Sequence, residues 1–155
     1  ARQPALSPDG KRLAFVYRGD IWLTNSKGGR ARPLTFHLEY DAYPVFSPDG
    51  HWIAFGSKRH GGWDIFVIPA EGGKARRLTW HSGHEIPFGW SPDGQQIAFG
   101  ARRDSPIYCL MSVEVATYKS KVLIEDYAAL RYPRWSPDGN TLLYTRYGMP
   151  WYRPR

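Results

Sequence analysis

The 155-residue sequence predicts an all-β repeat fold, an incomplete β-propeller of about three and a half four-stranded antiparallel blades. Three observations lead there. A Ser-Pro-Asp-Gly turn recurs at residues 7–10, 47–50, 91–94 and 136–139, with serine-to-serine steps of 40, 44 and 45 residues, a period that marks a repeat architecture. Each full repeat carries four short runs rich in β-branched and aromatic residues. Nothing keeps a helical period, and the one candidate, residues 126–130, is too short to matter.

The second repeat shows the elements in order. Residues 43–47 form a short extended run ending at Ser47-Pro48-Asp49-Gly50, where Pro presets φ and Gly accepts a positive φ. Residues 52–57 follow as a second strand, and Lys58-Arg59-His60-Gly61-Gly62 as a polar, glycine-rich connection. Residues 64–68 make a third strand, residues 71–74 a turn, and residues 76–80 a fourth strand. The second strand recurs at residues 12–16, 96–100 and 141–144, the third at 20–23 and 107–110, the fourth at 32–35 and 121–124. Blades are thus expected over residues 3–36, 43–80, 85–125 and 130–147, the last incomplete. A sandwich would not repeat one turn four times in register.

This alignment gives several reactive-looking residues ordinary places. Cys109 falls where Leu23 and Val67 fall, as a small core hydrophobe. Asp9, Asp49, Asp93 and Asp138 share one turn context, which points to capping of local N–H groups rather than to calcium or catalysis. Phe46, Trp90 and Trp135 sit just before the turn serine, where inner strands pack between blades.

Composition narrows the function classes. The net charge is +7, but the 21 Lys and Arg are scattered, with pairs at most, which argues against a nucleic-acid module. No apolar run approaches the roughly 20 residues of a membrane span. One cysteine permits no internal disulfide and no cysteine-based metal cluster. The opening Ala1-Arg2-Gln3-Pro4 lacks a signal-peptide pattern, so an upstream segment is expected to have been removed or not included.

The order Ser-Pro-Asp-Gly, then Ile53-Ala54-Phe55, Asp64-Ile65-Phe66-Val67-Ile68, Gly72-Gly73 and Arg77-Leu78-Thr79 resembles the WD-type repeat of the TolB and tricorn-protease propellers. Residues 17–22, 78–82 and 85–88, with Pro150-Trp151-Tyr152-Arg153, are most similar to the amino-terminal propeller of tricorn-like proteases. The resemblance implies about six blades, on the order of 260 residues at this repeat length. The chain supplies three repeats and half of a fourth, so it is expected to be a fragment or to self-associate through its exposed end blades. It also lacks the region where such a protease would carry its catalytic serine and histidine.

Alternation of strand direction puts every Ser-Pro-Asp-Gly turn and the Gly-Gly turns at one end of the blades. The other end holds the loops of variable length and four of the five histidines. Function on a rigid frame belongs to such loops. The candidate binding residues there are Arg18, His37, Arg59, His60, His81, His84, Arg103 and Arg131, a basic mouth for an acidic or peptide partner through Arg–carboxylate contacts. A zinc site from His81 and His84 with Glu85 or His37 lacks a fourth ligand, so neither metal nor cofactor is expected. A hydrolytic site would need nucleophile, base and orienter together, and Ser82 beside His81 gives only sequence adjacency. The resemblance implies a non-catalytic propeller module that binds peptides or gates substrates for a tricorn-like serine-type peptidase. The alternative is a stand-alone TolB-like interaction protein of the cell envelope, and a metal-dependent hydrolase or lyase comes last. By resemblance, a periplasmic or secreted location is favoured over a cytoplasmic one.

Overall fold

The computed structural model describes residues 1–102, 108–126 and 129–147, and every regular element among them is a strand. Blade 1 comprises β1 (Arg2–Leu6), β2 (Arg12–Tyr17), β3 (Asp20–Asn25) and β4 (Arg32–Pro33). Blade 2 comprises β5 (Asp41–Phe46), β6 (Trp52–His60), β7 (Gly62–Pro69) and β8 (Arg76–Arg77). Blade 3 comprises β9 (His84–Trp90), β10 (Gln96–Arg102), β11 (Tyr108–Glu114) and β12 (Ser120–Asp126), and β13 (Ala129–Trp135) with β14 (Leu142–Tyr147) forms half of a fourth. In each sheet the strands pair antiparallel in chain order, the arrangement of propeller blades. The blades do not close into a ring.

The Ser-Pro-Asp-Gly turn is built identically four times. In blade 2, Ser47 Oγ donates to Asp49 Oδ1 at 2.5 Å and accepts from Trp52 N at 2.9 Å. The same carboxylate oxygen accepts from His51 N at 2.9 Å, and Gly50 N donates to Ser47 O at 2.9 Å. The set repeats around Ser7, Ser91 and Ser136. Hydrogen bonding to the serine, then to the backbone, lowers all four aspartate pKa values below the usual 3.8. A carboxylate lowered in the folded state supports folding above its ordinary pKa, and that support is lost as pH falls through the folded value.

The turn also joins blades. Gly50, Gly94 and Gly139 have φ of 73°, 70° and 74°, a region open mainly to glycine. A Cβ on each would stand 3.6, 3.8 and 3.7 Å from the proline of the preceding turn, Pro8, Pro48 and Pro92 in order. Pro8, Pro48 and Pro92 therefore each rest on the glycine of the next turn. Arg12 reinforces the first of these rungs by donating to Gly50 O at 2.6 Å and to Glu71 Oε1 at 2.8 Å.

Strand alternation gives each blade two unlike faces. Ile53, Phe55, Phe66 and Ile68 of blade 2 pack against Ala14, Ile21, Leu23 and Leu34 of blade 1. Ala54, Ile65, Val67 and Leu78 of blade 2 pack against Trp90, Ile97, Phe99, Met111 and Val113 of blade 3. A face that carries aromatic rings thus meets an aliphatic face at each junction. At the ends these faces are open: Leu6 is 57% exposed where Phe46 is 8%, and Leu143 is 74% exposed where Ala14 and Ala54 are 0%.

Inner strands enter through a β-bulge. Gln3, Tyr43 and Tyr132 have φ of 51°, 58° and 54° at the register shifts of β1, β5 and β13, each followed by proline. In β9 that position is Pro87, whose ring forbids positive φ, and the unpaired residue is instead Phe88.

The structure departs from the sequence reading in three places. Lys58, Arg59 and His60 are strand, because β6 runs on to a tight turn at Gly61 (φ 94°). Strands β4 and β8 hold two residues each, shorter than expected, while β12 holds seven. In blade 3 the third strand is β11, and Ser112, paired with Ala98, takes the position of Leu23 and Val67. Cys109 instead takes the position of Asp64, half-buried at the margin of the second core.

Ser91→Ala removes a buried hydroxyl that makes two hydrogen bonds of the turn. It is expected to cost about 1–3 kcal/mol in urea unfolding, with Ser136→Ala costing less because that turn is exposed.

Candidate functional site

The end opposite the turns carries charge in two states, buried and exposed. Asp41 opens β5 and is fully buried, and Asp64 near the start of β7 is 1% exposed. Ser57, also buried, pairs in register with both. Arg59 Nη2 meets Asp41 Oδ2 at 2.6 Å, while its guanidinium lies 5.7 and 5.4 Å from the centres of the Phe55 and Phe66 rings. Arg77 Nη2 meets Asp64 Oδ2 at 2.9 Å, and Arg77 Nε donates to Thr79 O at 2.7 Å. Burial raises the Asp64 pKa more than Arg77 lowers it. Relative to the unfolded chain, burial thus disfavours the charged form, so the stability that Asp64 contributes is full at low pH and is lost as pH rises through its raised value.

These pairs make Arg59 a structural cation whose charge is matched inside blade 2. His60 stacks parallel on Phe66, with ring centres 6.2 Å apart, at the exposed tip of the same hairpin. His37 and His81 occupy one repeat position, after Leu34-Thr35-Phe36 and Leu78-Thr79-Trp80. Each accepts on Nδ1 a hydrogen bond from the backbone N–H two residues on, Glu39 at 3.0 Å and Gly83 at 2.9 Å. Both therefore cap their links. Among the described residues, no three His, Cys, Asp or Glu side chains are grouped so as to hold a metal ion.

A concave site lies between blades 3 and 4. Its cavity of about 200 Å³ is walled by Ile86, Phe88, Ala101 and Leu130 and edged by the exposed His84, Arg102 and Arg131. Gly100 makes room for the wall, since a Cβ there would stand 2.6 Å from the Phe88 ring. Arg102 lies over the Tyr108 ring at 5.7 Å. An apolar wall with a cationic edge suits a ligand that is apolar at one end and anionic at the other.

The residues singled out in the sequence are thus separated into groups. His84 and Arg131 line the cavity; Arg59 and His60 belong to the β6–β7 hairpin; Arg18, on the β2–β3 turn with φ 52°, and His37 lie beside the link between blades 1 and 2. Arg103 lies outside the described residues. Sequence reasoning passed over Asp41 and weighed Glu85 only as a third zinc ligand, although both are buried acids near the start of β5 and β9, each six residues before a turn serine. It also passed over the apolar wall, which no single motif encodes. Arg59→Ala would leave Asp41 buried without its partner and is expected to cost about 3 kcal/mol in denaturant unfolding, well above the about 1 kcal/mol or less of an exposed pair.

The comparisons with known proteins agree with the propeller architecture. The chain aligns with a TolB-assigned structure from Agrobacterium tumefaciens at a TM-score of 0.83 and 25% identity, covering 92% of this chain and 52% of that one. It aligns with the crystal structure of the tricorn protease at a TM-score of 0.68 and 26% identity, covering 79% of this chain and 13% of that one. An uncharacterized peptidase of Bacillus subtilis, YuxL, is 36% identical over 68 residues, 37% of this chain and 10% of that protein. The chain therefore spans about half, or much less, of the proteins it matches. The family model of the tricorn protease N-terminal β-propeller domain matches residues 1–153, and the chain belongs to that family.

Proposed function

We propose that this chain is a non-catalytic peptide- or protein-binding propeller module of a larger serine-type peptidase, presenting its partner at the end opposite the Ser-Pro-Asp-Gly turns. The observation that carries the reading is the cavity edged by His84, Arg102 and Arg131 over an apolar wall. A peptide with a carboxylate beside a large apolar side chain satisfies both parts, through Arg–carboxylate contacts and burial of the apolar group. Membership of the tricorn N-terminal propeller family supports a place beside a peptidase domain. The TM-score of 0.83 to a TolB-assigned structure favours a second reading, a TolB-like interaction module of the cell envelope, periplasmic or secreted.

Two outcomes test this. Arg102→Glu with Arg131→Glu is expected to weaken binding of a labelled acidic, apolar peptide by about tenfold or more while the melting curve stays in place, and unchanged affinity would refute the cavity as the binding site. The open end faces extend the reading to self-association of the 155-residue chain. Sedimentation of the chain is expected to show concentration-dependent dimers that Leu143→Asp suppresses, and a monomer at all concentrations would contradict it.

A further inference from the structure

The link between blades 1 and 2 carries five consecutive exposed residues, Phe36-His37-Leu38-Glu39-Tyr40. Phe36 is 93% and Leu38 102% exposed, so neither side chain rests on the protein. The link is nevertheless held firmly. Leu34 N and Thr35 N donate to Ile21 O, His37 N to Asp20 Oδ1, Glu39 N to His37 Nδ1, Asp41 N to Gly19 O, and Tyr40 O accepts from Lys58 N. A pinned backbone that presents two large apolar side chains to water needs a reason, since burial of such groups is favourable and exposure wastes it.

The repeat supplies an internal control. Trp80 takes the position of Phe36 one blade later, and its ring meets Tyr118 of blade 3 at 5.8 Å. The turn of blade 2 that corresponds to the Tyr118 turn, residues 70–75, has no aromatic residue for Phe36 to meet. Leu38 has Ser82 as its counterpart. Of these two links, only the first carries the apolar tip.

Its surroundings indicate the occupant. The Tyr40 ring covers Gly19, which places the tip beside the Tyr17-Arg18-Gly19 turn, and the Lys58 backbone adjoins it on the other side, with the Lys58 ammonium 5.1 Å over the Trp63 ring. Tyr17 and Tyr40 are half-exposed, and the Arg18 guanidinium lies 5.4 Å over the Tyr17 ring. Apolar tip, tyrosine collar and the exposed Arg18 cation follow the ordering that bilayer interfaces select, with acyl chains, headgroup level and anionic phosphates met in turn. The tip is convex, and a convex pair of free side chains enters a fluid phase more readily than it finds a matching socket. The chain's net charge of +7 draws it toward an anionic surface.

We propose that the link over residues 36–40 is a peripheral membrane-contact tip that dips Phe36 and Leu38 into an anionic bilayer surface, with Arg18 on the headgroups. This goes beyond the peptide-binding reading and uses neither the cavity nor its residues. The test is co-sedimentation of the chain with vesicles of phosphatidylcholine alone and of phosphatidylcholine with phosphatidylglycerol. The chain should pellet with the phosphatidylglycerol vesicles, and less so as salt screens the charges. Phe36→Ser with Leu38→Ser should reduce partitioning roughly tenfold or more with an unchanged melting curve, since the side chains contact nothing. Arg18→Ala should reduce it about fivefold. Three results would each overturn the proposal: no pelleting, pelleting unaffected by the double substitution, or conversion of a dimer to a monomer by that substitution, which would make a second copy the occupant.

Discussion

The structure depends on one small hydrogen-bonded turn. A serine hydroxyl that donates to an aspartate and accepts from the amide five residues on closes the hairpin of inner strand and second strand in each repeat. That closure fixes which side chains of the second strand face each neighbour, because a slip of one residue would exchange the aromatic-bearing and aliphatic faces. The proline of one turn on the glycine of the next carries the register from blade to blade. The motif is therefore a ruler for both the blade and the junction, and each of its four residues has a separate task.

With register set at that end, the opposite end is free to vary. There the chain spends some charges on structure and leaves others at the surface. Arg59 and Arg77 neutralise buried Asp41 and Asp64 within blade 2, while His37 and His81 cap their links. His84, Arg102 and Arg131 remain exposed around an apolar hollow, and Arg18 stands beside an apolar tip. Two surfaces of different character thus stand on one frame, a concave one between blades 3 and 4 and a convex one between blades 1 and 2.

The blades were legible in the sequence because each turn residue is dictated locally: proline for φ, aspartate and serine for caps, glycine for a positive φ. The third strand of blade 3 was misplaced because Cys109-Leu110-Met111 stands where Asp20-Ile21-Trp22 and Asp64-Ile65-Phe66 stand, and loss of the aspartate removed the anchor for alignment. The β6–β7 hairpin was read short because Lys58, Arg59 and His60 look like loop residues, although Asp41 and the Phe55 and Phe66 rings give Arg59 a buried partner set. The cavity was legible only in part. Its charged edge shows in the loop composition, whereas its wall joins Ile86 and Phe88 to Ala101 and Leu130, which come together only when blades 3 and 4 meet.

The division of labour between the two ends can be measured residue by residue. In a ¹H–¹⁵N spectrum of the labelled chain titrated with an acidic, apolar peptide, the amides of His84, Arg102 and Arg131 are predicted to shift while those of Gly50 and Gly94 stay in place. Shifts at the turn glycines with a silent cavity would contradict the assignment of structure to one end and binding to the other.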